Sequence, residues 1–386
     1  MTTEHRTNMD ELSSWESQIR QLSDIILANV VMFSELPAPT FKEDKRRDFL
    51  LQRFAESELI NVSYDEKGNA LGILPGTSGD RNILLVSHLD SNIPEEVDHT
   101  VTVRPESIAG RGVSDNAMGL ASIASLPQIL KHLGINLKAN IILMGSTKSL
   151  GKGNLEGLRF FLDNKTLAID FGLVVEGVKL GRLSHASIGM LRGEISYLIP
   201  EEYDWTKFES GGATIGITEV INKILAIPLP SRPKTSINIG SVKAGTTHDK
   251  RANKALLQFE IRSESEEQVH ELAATIDMIA AEQASKTGAD VQFQIIASRR
   301  PGGIAFSNPI VTHARTILRS LGISPRFTPS INELAAFIDN KIPALTLGIT
   351  DGENLTEEME EKVYINPIYK GLTQIIGMLT AMDQEI

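Results

Sequence analysis

Four residues have the types and spacing to hold a metal ion or move a proton: His88, Asp90, Asp115 and Glu176. His88 and Asp90 close the run Asn82–Asp90, NILLVSHLD, two residues apart. On a strand that spacing turns both side chains to one face. Asp115 lies in the glycine-rich stretch Gly110–Gly119, GRGVSDNAMG, just before an apolar helical pattern. Glu176 ends a further apolar run, FGLVVE. An imidazole and carboxylates offered at strand ends and a helix start suit a borderline divalent cation. The chain has no cysteine, so thiolate ligands are excluded and a metal must rest on His, Asp and Glu. The plain rival reading makes His88 and Asp90 a buried hydrogen-bonded pair, with Gly110, Gly112 and Gly119 serving turn geometry and close packing.

The elements that must position these residues follow from periodicity. Asn82–His88, Ala139–Ser146 (ANIILMGS) and Phe171–Glu176 are continuous apolar runs of strand length. They alternate with helical patterns, including Ala117–Leu133, where Pro127 predicts a kink or break. Ahead of them, Trp15–Phe33 and Glu43–Glu56 read as helices. Buried strands alternating with helices predict an α/β fold, a mostly parallel sheet sandwiched by helices. Sites in such sheets lie beyond the carboxyl ends of the strands. His88, Lys148, Ser149 and Glu176 all fall there. The pattern then changes to strand, helix, two strands, helix, strand over 184–298, a smaller α+β unit. It returns with helices over Pro309–Leu321 and Asn332–Ile338, a strand over Ala344–Leu347 and a helix over Asn366–Met382. Residues 1–183 and 299–386 are therefore expected to form one domain, with 184–298 inserted.

Composition narrows the classes. The 386 residues carry a net charge of −11, and no long basic run points to nucleic acid as a partner. No apolar run reaches the ~20 residues of a membrane span, and Met1–Ser14 is polar with no signal-like apolar core. A cysteine-free chain fits a reducing cytoplasm.

Taken together, these motifs resemble the di-zinc aminoacylase, carboxypeptidase and acetylornithine-deacetylase group of metallopeptidases. The resemblance covers nearly the whole chain. His88 and Asp90 match the His-x-Asp motif, and Gly110, Gly112 and Asp115 match the glycine-rich loop that ends in Asp. Glu176 matches the later acidic residue. Gly240–Ala255 with Phe259–Ser263 is similar to the lid loop and strand, and Lys341–Gly348 with Gly352–Leu355 fits the last motif. The resemblance implies zinc or another divalent metal as cofactor and a peptide-like or amino-acid-derived small molecule as ligand. It also implies a homodimer through the inserted unit. On it, His88, Asp115 and Glu176 are metal ligands, and Asp90 is a catalytic-site residue orienting the His88 imidazole.

The departures are as informative. The family carries adjacent glutamates past the second strand, one a general base and one a ligand; here Lys148 and Ser149 stand there. The family's last ligand, a His, is Thr356 here. The lid His is matched by Tyr203 or Trp205, and the lid Asn by Asp249. A neutral hydroxyl is a poor zinc ligand, and a protonated Lys is no base. The expectation is one metal site, an absent second metal, and a Lys148 ammonium turned to Asp115 in compensation. The acidic run Glu353, Glu357, Glu358, Glu360, Glu361 is expected to be a solvated loop. His185 and His248 are expected at the surface. Function then divides between a divergent hydrolase-family protein impaired in two-metal amide hydrolysis and an active peptidase or N-acyl amino acid deacylase working with one metal or substituted ligands.

Overall fold

The computed structural model describes residues 9–200, 212–355 and 360–385. The chain divides into two units, 1–187 with 303–386, and 188–302.

In the first unit the described residues form an eight-stranded sheet in the order 60–64, 70–74, 140–146, 82–88, 171–178, 344–350, 182–184, 326–327. Its four middle strands, 140–146 to 344–350, are parallel to their neighbours within that set. Antiparallel pairs flank them at 70–74 and at 182–184. Asn82–His88 is buried at every residue, as a middle strand covered on both faces must be. One face packs under helices that include Ser23–Glu35, Met118–Leu133 and Ile365–Glu385. The other packs under Glu156–Asn164 and Leu334–Asp339. A small antiparallel sheet, in the order 352–355, 360–364, 107–110, 102–103, carries the glycine-rich loop at the end of its strand 107–110.

The register sets the site. His88 pairs with Ser146, and Glu176 pairs with Gly348. Val86 pairs with Val174, so His88 and Glu176 reach the same level two residues later.

Of the kink or break expected at Pro127, the break does not occur, and Met118–Leu133 is one helix. All residues from Met118 to Pro127 are buried. That burial offsets a local cost of ~3 kcal/mol for an interior proline.

The second unit is a four-stranded antiparallel sheet in the order 235–244, 254–263, 189–198, 290–299. Helices Gly212–Leu225 and Glu266–Thr287 cover it. Ile195, Ile217, Leu257, Ile261 and Ile276 form the centre of its core. Tyr203 and Trp205 lie outside the described residues, and Asp249 and His248 are exposed.

Candidate metal centre

His88 ends its strand almost fully buried. Its Nδ1–H donates to the Asp90 main-chain oxygen at 2.9 Å, and Asp90 Oδ1 stands 3.5 Å from the same nitrogen. The ring is thereby fixed with Nε2 toward Asp115 Oδ1, 3.0 Å away. Asp90 is held in turn: its Oδ2 accepts from Thr40 Oγ1 at 2.9 Å and from the Leu150 amide at 2.8 Å. Burial works against a charged imidazole. The hydrogen bonds with Asp115 and Asp90, and the charges of Asp115 and Glu333, outweigh it and hold His88 well above its ordinary value.

Asp115 is set by the glycine-rich loop. Gly112 takes a left-handed φ of 71°, where glycine carries no steric cost. A Cβ on Gly119 would stand 2.4 Å from Asn116 Oδ1 and 2.6 Å from Ser87 Oγ. The absence of a side chain there lets the helix start against the strands. Asn116, buried, joins three elements: its Nδ2 donates to Ser87 Oγ at 2.9 Å and to the Val175 carbonyl at 3.0 Å, and its Oδ1 accepts from the Gly177 amide at 2.7 Å. Glu361 Oε2 anchors the loop from the other side, accepting from the Ser114 amide (2.8 Å), the Ser114 hydroxyl (2.7 Å) and the Asp115 amide (3.3 Å). Desolvation opposes a charged Asp115, but the His88 bond and the charges of His88, Arg46 and Arg182 lower its pKa overall.

Glu176 completes the cluster. One ligand atom each from His88, Asp115 and Glu176 lie within 4.8 Å of one another. Asn332 Nδ2 donates to Glu176 Oε1, while Asn332 Oδ1 accepts from Ser330 Oγ and from the Leu334 amide. The strands, the loop and the segment 330–332 therefore hold three potential ligands in place. An imidazole and two carboxylates are a fitting donor set for a zinc-like ion with an open position.

The sequence profile described as peptidase family M20/M25/M40 matches residues 84–380. The chain belongs to that family. No curated protein matches it by sequence. Solved structures agree in fold. The di-peptidase Dug1p from Saccharomyces cerevisiae is similar with a TM-score of 0.79 at 14% identity, covering 98% of this chain and 99% of that one. A tripeptidase from Staphylococcus aureus gives 0.75 at 18%, covering 94% and 99%. A family M20 metallo-carboxypeptidase from Sulfolobus solfataricus gives 0.74 at 14%, covering 93% and 99%.

The turn after the neighbouring strand carries other side chains. Ser149 Oγ lies 3.2 Å from Ser146 Oγ, inside the protein. Lys148 does not turn to Asp115. Its main chain takes a left-handed φ of 53°, its amide donates to Glu43 Oε1 at 2.8 Å, and its Nζ stands 3.7 Å from Glu156 Oε1. The fixed cation near the carboxylates is instead Arg46, fully buried on the helix Asp44–Glu56. Arg46 Nε donates to the Leu36 carbonyl and Nη1 to the Leu89 carbonyl, at 2.9 and 3.0 Å. Burial lowers its pKa to about 10, against the opposing pull of Asp90, Asp115 and Glu361, so it remains a cation at neutral pH. A serine hydroxyl does not fit a second zinc-like position. Thr356, Glu357 and Glu358 lie outside the described residues.

Sequence reasoning passed over four contributors: Glu43, Arg46, Asn332 and Glu333. Arg46 had a signal, since it shares the i, i+4, i+8 stripe with buried Leu50 and Phe54. Glu333 stands alone before the apolar Leu334–Phe337 and is itself 1% exposed. Glu361 departs from the expected solvated loop, because its carboxylate is spent on loop amides. Glu353 is exposed and bonds Tyr364 and Lys362. His185 is partly buried and packs edge-on to Phe306 and Phe327. Among the described residues no helix is long and apolar enough to cross a membrane.

Proposed function

We propose that this chain is a single-metal member of its family that does not carry out amide hydrolysis by the two-metal route. In this reading His88, Asp115 and Glu176 hold one zinc-like ion, and it takes a peptide-like or amino-acid-derived ligand. The observation that carries the reading is the strand-end turn 147–149: it offers no carboxylate, Lys148 reaches out to Glu156, and Ser149 is bonded inward. When bound, the ion supplies Lewis acidity and a lowered water pKa. The residues supply the rest. Asp90 keeps the His88 ring oriented, Asn116 locks the loop to two strands, and Asn332 steadies Glu176. Lys148, paired outward, cannot take a proton from a nucleophile as a carboxylate would.

The peptide-like ligand is suggested by the similar structures, a dipeptidase, a tripeptidase and a carboxypeptidase. A homodimer through residues 188–302 belongs to the same reading. The exposed outer strands Thr235–Ala244 and Asp290–Arg299 support it, and sedimentation checks it. A cysteine-free chain supports a reducing location such as the cytoplasm.

A second reading, an active single-metal peptidase or deacylase, is favoured by the intact Asp90–His88 arrangement. Assays of dipeptide and N-acyl amino acid hydrolysis with added zinc, cobalt or manganese separate the two. The first reading expects no turnover above the His88→Ala background. Turnover that His88→Ala abolishes establishes the second reading.

A further inference from the structure

One buried carboxyl has no task in the single-metal reading. Glu333 immediately precedes the short helix Leu334–Asp339 and makes no side-chain cap to it. It is 1% exposed, and its Oε1 has no hydrogen-bond partner. The carboxyl faces the Ser149 hydroxyl and lies within electrostatic reach of His88 and Glu176. Its neighbour Asn332 donates to Glu176, so the segment Ser330–Glu333 carries both a group that steadies a ligand and a buried carboxyl with one oxygen left unbonded. A buried carboxyl without a partner is costly to a fold unless something answers it. Burial pushes this one up from its ordinary value, and the His88 charge pulls it back. Among the described residues no lysine or arginine is paired with it. The groups acting on it belong to, or adjoin, the metal centre.

We propose that Glu333 is a positioning carboxylate of the metal centre. From just outside the His88–Asp115–Glu176 cluster, it supplies the negative charge that residue 149 no longer brings. The proposal rests on the single-metal reading above. The charge comes from the segment before a helix and not from the turn after a strand, so Asp115, Glu176 and Glu333 give the centre three carboxylates besides Asp90 although Ser149 is neutral. Such an oxygen-rich surrounding suits harder divalent cations better than a site built on imidazoles does, and admits manganese beside zinc.

The test is a titration of the full-length, metal-free chain with Co²⁺ and Zn²⁺, followed by calorimetry and by the cobalt absorption spectrum. Glu333→Gln keeps the shape and removes the charge. Cation affinity should fall about 10- to 100-fold, the range for groups that support metal ligands from behind. Glu333→Asp, which keeps the charge, should recover most of it. The metal-free Glu333→Gln chain should melt higher than the wild type, because the desolvation cost of a buried carboxylate is gone. If Glu333→Gln raises the melting temperature but binds the cation as tightly as the wild type, Glu333 is only a core residue. The proposal is then overturned while the single-metal reading stands. If the wild type takes up no cation, both fall together.

Discussion

Two strand ends, side by side in one sheet and at one level, have different chemistry. At His88 the strand delivers an imidazole backed by Asp90, facing Asp115 and near Glu176. At Ser146, its partner in register, the chain turns through Thr147, Lys148 and Ser149 and delivers two hydroxyls and an outward ammonium. The backbone treats the two ends alike, and Glu43 even clamps the turn through the Lys148 amide. The contrast shows that the sheet specifies places and the side chains at those places specify chemistry. Charge balance at the first end also involves a guanidinium on a preceding helix, Arg46, whose field reaches Asp90 and Asp115.

That contrast can be broken from either side. The largest effect is expected at the imidazole: His88→Ala should remove measurable cation uptake, a loss of at least a few kcal/mol of binding, read by calorimetry. Arg46→Leu should come next. It leaves the Leu36 and Leu89 carbonyls without their donors and removes a buried positive charge that acts on Asp90 and Asp115, and urea unfolding should show a loss of about 2–4 kcal/mol. Asn116→Ala deletes three buried hydrogen bonds and should cost about 2–4 kcal/mol in the same measurement, with weaker cation uptake because the loop loosens.

The pH response sharpens the imidazole side. His88 is held well above its ordinary pKa in the metal-free protein, and a proton and a cation compete for Nε2. Apparent affinity should therefore rise with pH until the protein passes that raised value, then level off. An affinity independent of pH from 6 to 9 would show that His88 is not a ligand. The smallest effect belongs to the altered side. Lys148→Ala should change stability by less than about 0.5 kcal/mol, as expected for a part-exposed ion pair, and leave cation uptake unchanged.

The legibility of the molecule divides along physical lines. NILLVSHLD, ANIILMGS and FGLVVE could be read as neighbouring buried strands because both faces of each are apolar. The convergence of His88, Asp115 and Glu176 could be anticipated because each sits where a strand or a loop ends. Pro127 does not break its helix, because the burial that surrounds it offsets the local backbone cost. Lys148 misled because its direction depends on a left-handed main-chain conformation and on the Glu43 clamp, and neither is written in the local sequence. Arg46 was hidden between Lys45 and Arg47, a basic run that reads as a solvated face. Glu333 was hidden because its meaning is a long-range one: only the fold brings residue 333 to residues 88, 149 and 176.

The most direct test of the account is the metal content of the full-length chain after loading with zinc and removal of excess, measured by mass spectrometry against protein concentration. The account predicts one zinc per chain, lost in His88→Ala. Two per chain, or none, would contradict it.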